Sequence, residues 1–101
     1  MNTAVPHAEP VRLALHGDLD ASSAAQVRRE LFRAIRTHPA GRITVDVSGV
    51  TSLHEPVVGV LVESYRQASS TGGSLRLILA TADVTRLLGD AGLAGALLGP
   101  H

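Results

Sequence analysis

Lysine and cysteine are both missing from these 101 residues, and aromatic rings nearly so. Without Cys there is no disulfide, no thiolate nucleophile and no Cys-ligated metal. Without Lys there is no P-loop lysine, no Schiff-base chemistry and no lysine general base; all nine basic residues are Arg. One Phe, one Tyr and no Trp leave nothing from which to build a stacking platform for single-stranded nucleic acid. Formal net charge is zero, so no overall field draws the chain to nucleic acid or an anionic membrane. No apolar run approaches the roughly 18 residues of a membrane span, and "MNTAVPHAEP" has no apolar signal core. The expectation is a soluble cytoplasmic domain without membrane insertion, cofactor or metal.

What is present suits one globular core: 45% of residues are hydrophobic and 18% charged, over a length typical of a single domain. Residues 1–10, with Pro6 and Pro10, read as a flexible lead-in or a short first strand at 3–5. Residues 11–98 form the domain and 99–101 a tail.

Within the domain the hydrophobic period alternates. "VRLALHG" places Val11, Leu13 and Leu15 at a spacing of two, the mark of a half-buried strand. Val27, Leu31, Ala34 and Ile35 then recur at helical spacing. Ser23 with Gln26 three residues on predicts a capping box, hence a helix from about Ser23 to the break at Pro39 and Gly41. "RITVDVS" predicts a central strand over 42–48, and "VVGVLVESYRQASS" a helix over 57–70 with Val58, Leu61, Val62, Tyr65 and Ala68 inward. "SLRLILA" predicts a strand over 74–80 with Leu75, Leu77 and Leu79 in phase. Thr81 can cap a helix to about Asp90 carrying Val84, Leu87, Leu88 and Ala91, with Gly92 at a left-handed C-terminal position. "LAGALLGPH" has room for one or two helical turns. Alternation of strand and helix argues for an α/β domain with parallel pairing through right-handed crossovers.

In such sheets ligands and partners meet the carboxyl ends of the strands. Two segments lie there, "HGDLDASS" (16–23) and "SGVTSLHEP" (48–56), each leading into a helix whose dipole favours negative charge. Glu55 beside the second helix would gain roughly 0.3–1 kcal/mol from it. Pro56 suits the first turn of a helix and nothing more central. His16, Asp18 and Asp20 would share one face of a continuous strand and could ligate a metal, although a polar strand end reads the same way. His54 beside Glu55 has no evident nucleophile or oxyanion partner, which argues against catalysis. Arg29, Arg33 and Arg36, joined by Arg28, line one side of the first helix; a solvated face is the common meaning of such a stripe, and no nucleic-acid motif accompanies it.

The chain resembles a known family at this point. "ALHGDLDASSAAQVRREL" is similar to the Gly-acidic-Leu-Asp stretch and first helix of STAS domains, the sulphate-transporter and anti-sigma-factor-antagonist fold. "RITVDVSGVTSL" resembles their next strand and turn, and "VVGVLVESYRQASSTGGSLRLILATADVTRLLGDAGL" their second helix, glycine turn, strand and third helix. The likeness runs over about residues 11–98, in order and without gaps. It implies a small mixed sheet with helices mainly on one face. It also implies a non-enzymatic module that binds an anti-sigma factor acting as a serine kinase, or a larger signalling assembly.

In that family, phosphorylation of a Ser in an Asp-Ser-Ser-Gly-Leu-Gly motif at the second helix blocks binding. Aligned on Gly59-Val60-Leu61, His54 stands at the Asp, Glu55 at the first Ser, Pro56 at the phosphoacceptor, Val57 at the Gly and Val58 at the Leu. Proline has no hydroxyl, so the usual site is lost. The loop is then a connector, an unswitched binding surface, or a surface where Glu55 imitates the phosphorylated state; Thr51 or Ser52 could serve as a displaced acceptor. An exposed Val57 beside Val58 would enlarge an apolar contact patch. The expected partner-binding residues are Asp18, Asp20, Ser22, Ser23, Ser52, His54, Glu55, Pro56, Val57 and Val58. Two other readings stand beside this one: a STAS subunit of a transporter ATPase, and a receiver-like phosphoacceptor at Asp46, which the absence of Lys weakens. The short amino-terminal strand and curtailed carboxyl-terminal helix leave sheet edges that a homodimer or another partner could cover.

Overall fold

The computed structural model describes residues 10–99. Three parallel strands, β1 (Val11–Leu19), β2 (Arg42–Leu53) and β3 (Ser74–Ile78), lie in the order β1-β2-β3. They are joined by α1 (Ala21–Thr37) and α2 (Glu55–Ser70) and followed by α3 (Ala82–Asp90) and α4 (Ala94–Leu97). The strands follow one another in chain order, and the helices between them, α1 and α2, pack against each other on one face of the sheet. The small α/β fold is the expected one. The strand considered at 3–5, which a mixed sheet would draw on, lies outside the described residues.

The core lies between that face and the helices. From α1 it takes Val27, Leu31, Ala34 and Ile35, the four residues the helical period selects. They meet Ile43, Val45 and Val47 of β2, Leu75 and Leu77 of β3, and Leu88 and Leu97 from the last helices. The other face of the sheet carries Arg12, Ala14, His16, Thr44, Asp46 and Arg76, which are exposed or half-buried.

β2 is longer than the 42–48 expected, and the reason is visible in its pairing. Ala14 faces Asp46 while His16 faces Gly49, and Gly17 faces Val50 while Asp18 faces Ser52. β2 therefore spends one extra residue at each of two bulges, and its buried positions run 43, 45, 47, then 50 and 53. Asp46 holds the first bulge by accepting the Ser48 amide at 2.9 Å. Gly49 sits against the His16 ring, where an added Cβ would lie 2.5 Å from Nδ1.

Other boundaries also move. α1 starts at Ala21 and not near Ser23, because Asp20 is the N-cap, accepting the Ser22 amide at 3.0 Å. The expected capping box is not made; Gln26 instead donates to Glu30. α2 begins at Glu55, with Pro56 in its first turn, and buries Val57, Val60, Leu61, Ser64 and Ala68. The inward stripe is thus rotated from the one the apolar residues suggest, because Ser64 occupies a core position that a hydrophobic count passes over. β3 stops at Ile78: Leu79 is left-handed at φ +60° and 60% exposed, so it is not in phase with Leu75 and Leu77. Leu87 is also exposed, whereas Gly92 adopts the left-handed turn expected of it, at φ +75°.

Candidate functional site at the carboxyl pole of the sheet

The bulges carry β2 to the level of β1's carboxyl end, so that Leu19 pairs with Leu53 and the Leu19 carbonyl accepts the His54 amide at 3.0 Å. This register brings Asp18, Ser52 and His54 together. One carboxylate oxygen of Asp18 accepts the Ser52 hydroxyl and lies 2.8 Å from His54 Nε2. A carboxylate only accepts, so Nε2 carries the proton and donates it. His54 is also the N-cap of α2, yet its side chain makes no capping bond. Its ring is turned toward Asp18.

Beside this trio the entry to α1 forms a second cluster. Asp20 Oδ1 accepts the Ser22 amide at 3.0 Å and the Ser22 hydroxyl at 2.6 Å, while Ser23 Oγ reaches it at 3.4 Å. These bonds, the Ser22 hydroxyl foremost, hold the Asp20 carboxyl below the ordinary aspartate range. Ser22 and Ser23 are therefore committed to ordering the turn. Glu55 and Pro56 are exposed at the head of α2 and Val58 is half-buried beside them.

Several expectations change here. Val57 is fully buried, so it belongs to the core and adds nothing to an apolar contact patch. It lies on the face that α2 buries, in line with Val60, Leu61, Ser64 and Ala68. Asp20 is occupied as a cap while Asp18 faces His54, so His16, Asp18 and Asp20 do not converge. Among the described residues no three His, Cys, Asp or Glu side chains are grouped to hold a metal. Arg28 leaves the basic stripe: it forms a two-pronged pair with Glu63 of α2 at 3.0 and 3.1 Å and lies over the Phe32 ring.

Asp46 does not meet the needs of a receiver. It lies inside β2, well short of the strand's carboxyl end, pairs with Arg12 at 3.1 Å and accepts Ser48. The Ser48 amide and hydroxyl, with Arg12 beyond them, lower its carboxyl to about 2. It is a structural carboxylate pinning a bulge.

Of the two displaced acceptors considered, Ser52 has its hydroxyl bonded to Asp18, while Thr51 is exposed on the second bulge. Thr51, Ser52 and Leu53 also line a shallow groove whose far wall is Asp83, Val84 and Leu87 of α3. The α3 residues carry no motif, and only the fold places them at this pole. Ser52 and His54 bond to Asp18 and not to each other, so no serine–histidine relay exists here. No described helix is long and apolar enough to cross a membrane.

A family model described as Mlab, STAS domain, matches residues 4–99. Among solved structures, the anti-sigma factor antagonist SpoIIAA in its unphosphorylated form superposes with a TM-score of 0.76 at 19% identity, over 97% of this chain and 85% of that one. The Bacillus cell fate determinant SpoIIAA in its phosphorylated form gives 0.69 at 18% identity, over 97% and 88%. The protein TM1081 gives 0.76 at 23% identity, over 94% and 74%. At these identities the superpositions establish the fold. No curated protein sequence matches the chain.

Proposed function

The chain belongs to the STAS domain family, and from that premise we propose that it is a non-enzymatic binding module of the anti-sigma-factor-antagonist kind. It engages a serine-kinase anti-sigma factor, or a larger signalling assembly, through the carboxyl pole of its sheet. Asp18, Asp20, Ser52, His54, Glu55, Pro56 and Val58 form the contact surface, with Ser22 and Ser23 ordering its edge. One observation carries this reading: β1, β2 and α2 converge on Asp18, which fixes Ser52 and His54 in a half-exposed polar surface lacking a serine–histidine relay. Solved structures of the same fold include one whose name states that it is an anti-sigma factor antagonist.

The module is not switched at the family's usual serine, since Pro56 stands there. Glu55, exposed in the first turn of α2, keeps a fixed negative charge at that place. A transporter ATPase is the second reading of the partner, favoured by that missing hydroxyl, which suits a permanently bound subunit. Affinity capture of the tagged chain from the cells that make it, with mass spectrometry of partners and bait, separates the two. An anti-sigma factor with a kinase fold supports the first; transporter subunits overturn it in favour of the second. Phosphate on Thr51 or Ser52 would contradict the loss of serine/threonine switching.

A further inference from the structure

We propose that His54 is a phosphoryl-accepting histidine, modified at Nδ1, with Asp18 as its positioning residue. The inference rests on the reading of the carboxyl pole as the contact surface, and deepens it by supplying a switch in place of the one that Pro56 removes.

The geometry is that of an oriented nucleophile. Asp18 lies 2.8 Å from His54 Nε2, and because a carboxylate cannot donate, the Nε2 proton is held there. In the neutral ring the nitrogen left with a lone pair is then Nδ1, on the side away from Asp18. An N-cap side chain ordinarily accepts a first-turn amide, and His54 does not: the Val57 and Val58 amides go to the His54 carbonyl at 3.0 and 3.1 Å. Nδ1 is therefore left without a capping bond, on a side chain that is half exposed. Ser52, bonded to the same Asp18 oxygen, fixes the carboxylate in turn.

Other histidines within the described residues lack this arrangement. His16 lies with Nδ1 against Gly49, and His38 is the C-cap residue of α1. Among the described histidines His54 alone has a carboxylate partner within salt-bridge distance.

The step balances without a cofactor bound to this chain. The Nδ1 lone pair attacks the γ-phosphorus of a nucleoside triphosphate presented by a kinase. The bond from phosphorus to the bridging oxygen breaks, and the nucleoside diphosphate leaves. A P–N bond forms, and the positive charge that builds on the ring is balanced by Asp18 through Nε2–H. Once the Nε2 proton has passed to solvent by way of Asp18, the product adds about two negative charges to a pole that already holds Asp18, Asp20 and Glu55. A partner with an acidic surface is then repelled, and one that uses arginines is held more tightly.

Phosphoramidate tests the chemistry with no kinase present, transferring its phosphoryl group to imidazole with release of ammonia. The intact chain is treated with it, sites are assigned by mass spectrometry, and the nitrogen is identified by phosphorus–nitrogen NMR. The expected result is His54 modified at Nδ1, faster than His16 and His38 by roughly tenfold or more. Asp18→Asn should lose that rate advantage and the Nδ1 selectivity, Asp18→Glu should restore part of both, and His54→Gln should leave only the slow sites. Rates at His54 no greater than at His16 and His38, or a wild-type adduct on Nε2, would overturn the proposal. Because this readout needs no partner, its failure is separate from failure of the binding reading, which is decided by capture.

Discussion

Asp18 on β1 and His54 at the head of α2 meet at 2.8 Å, so one hydrogen bond ties the end of a strand to the start of a helix. Ser52 shares the same carboxylate oxygen. Asp18→Ala should free both side chains and weaken partner binding while leaving the fold intact. Both members of the pair are about half exposed, and such pairs contribute about 0–1 kcal/mol. Urea unfolding should show a correspondingly small change, whereas titration calorimetry with the captured partner should show lost affinity.

The lowered carboxyl of Asp46 makes a pH prediction. Its folded-state value, about 2, lies below the ordinary aspartate value, so its contribution to stability is present above about pH 4 and is lost as pH falls toward 2. Asp46→Asn should remove that contribution at neutral pH and flatten this part of the acid limb. Denaturant midpoints measured from pH 7 to 2 for both proteins check this.

Ser64 is fully buried in α2, and its hydroxyl has no hydrogen-bond partner. An unpaired buried hydroxyl costs about 1–3 kcal/mol, and alanine is also the better helix former. Ser64→Ala should stabilise the domain by about 1 kcal/mol, read as a higher urea midpoint at unchanged slope.

Leu79 is left-handed and exposed just beyond β3. A branched side chain in that conformation costs roughly 1–2 kcal/mol, and asparagine tolerates it far better. Leu79→Asn should raise stability by about 1 kcal/mol in thermal or urea unfolding.

Val57 offers the contrasting case. Its side chain is enclosed in the core, so Val57→Gly should destabilise by about 3 kcal/mol through the cavity and the glycine in a helix. It is therefore a packing variant. Pro56→Ser, at an exposed position, should change stability little and is the one that tests the surface.

Much of the architecture is legible because simple periods dominate it. Val27, Leu31, Ala34 and Ile35 follow the helical period without interruption, and all four are buried. Ile43, Val45 and Val47 do the same for a strand. Legibility ends where the backbone departs from a single period. The two bulges of β2 put Val50 and Leu53 out of phase with Val47, so pattern alone ends the strand at Ser48. Those bulges build the carboxyl pole, so the candidate residues can be named from sequence while the contact between Asp18, Ser52 and His54 cannot. Ser64 hides the inward face of α2 for a related reason: a serine in the core has no hydrophobic signal. Asp20 and Ser23 are both good caps in composition, and the one that caps is Asp20, whose carboxylate accepts the Ser22 amide.

Amide-shift mapping of the isotope-labelled chain, titrated with the partner recovered by capture, tests the central claim most directly. The account predicts shifts at Asp18, Asp20, Ser22, Ser23, Ser52, His54, Glu55 and Val58, which are weakened in Asp18→Ala. Shifts confined to Arg29, Arg33 and Arg36 on α1, with the carboxyl pole silent, would contradict it.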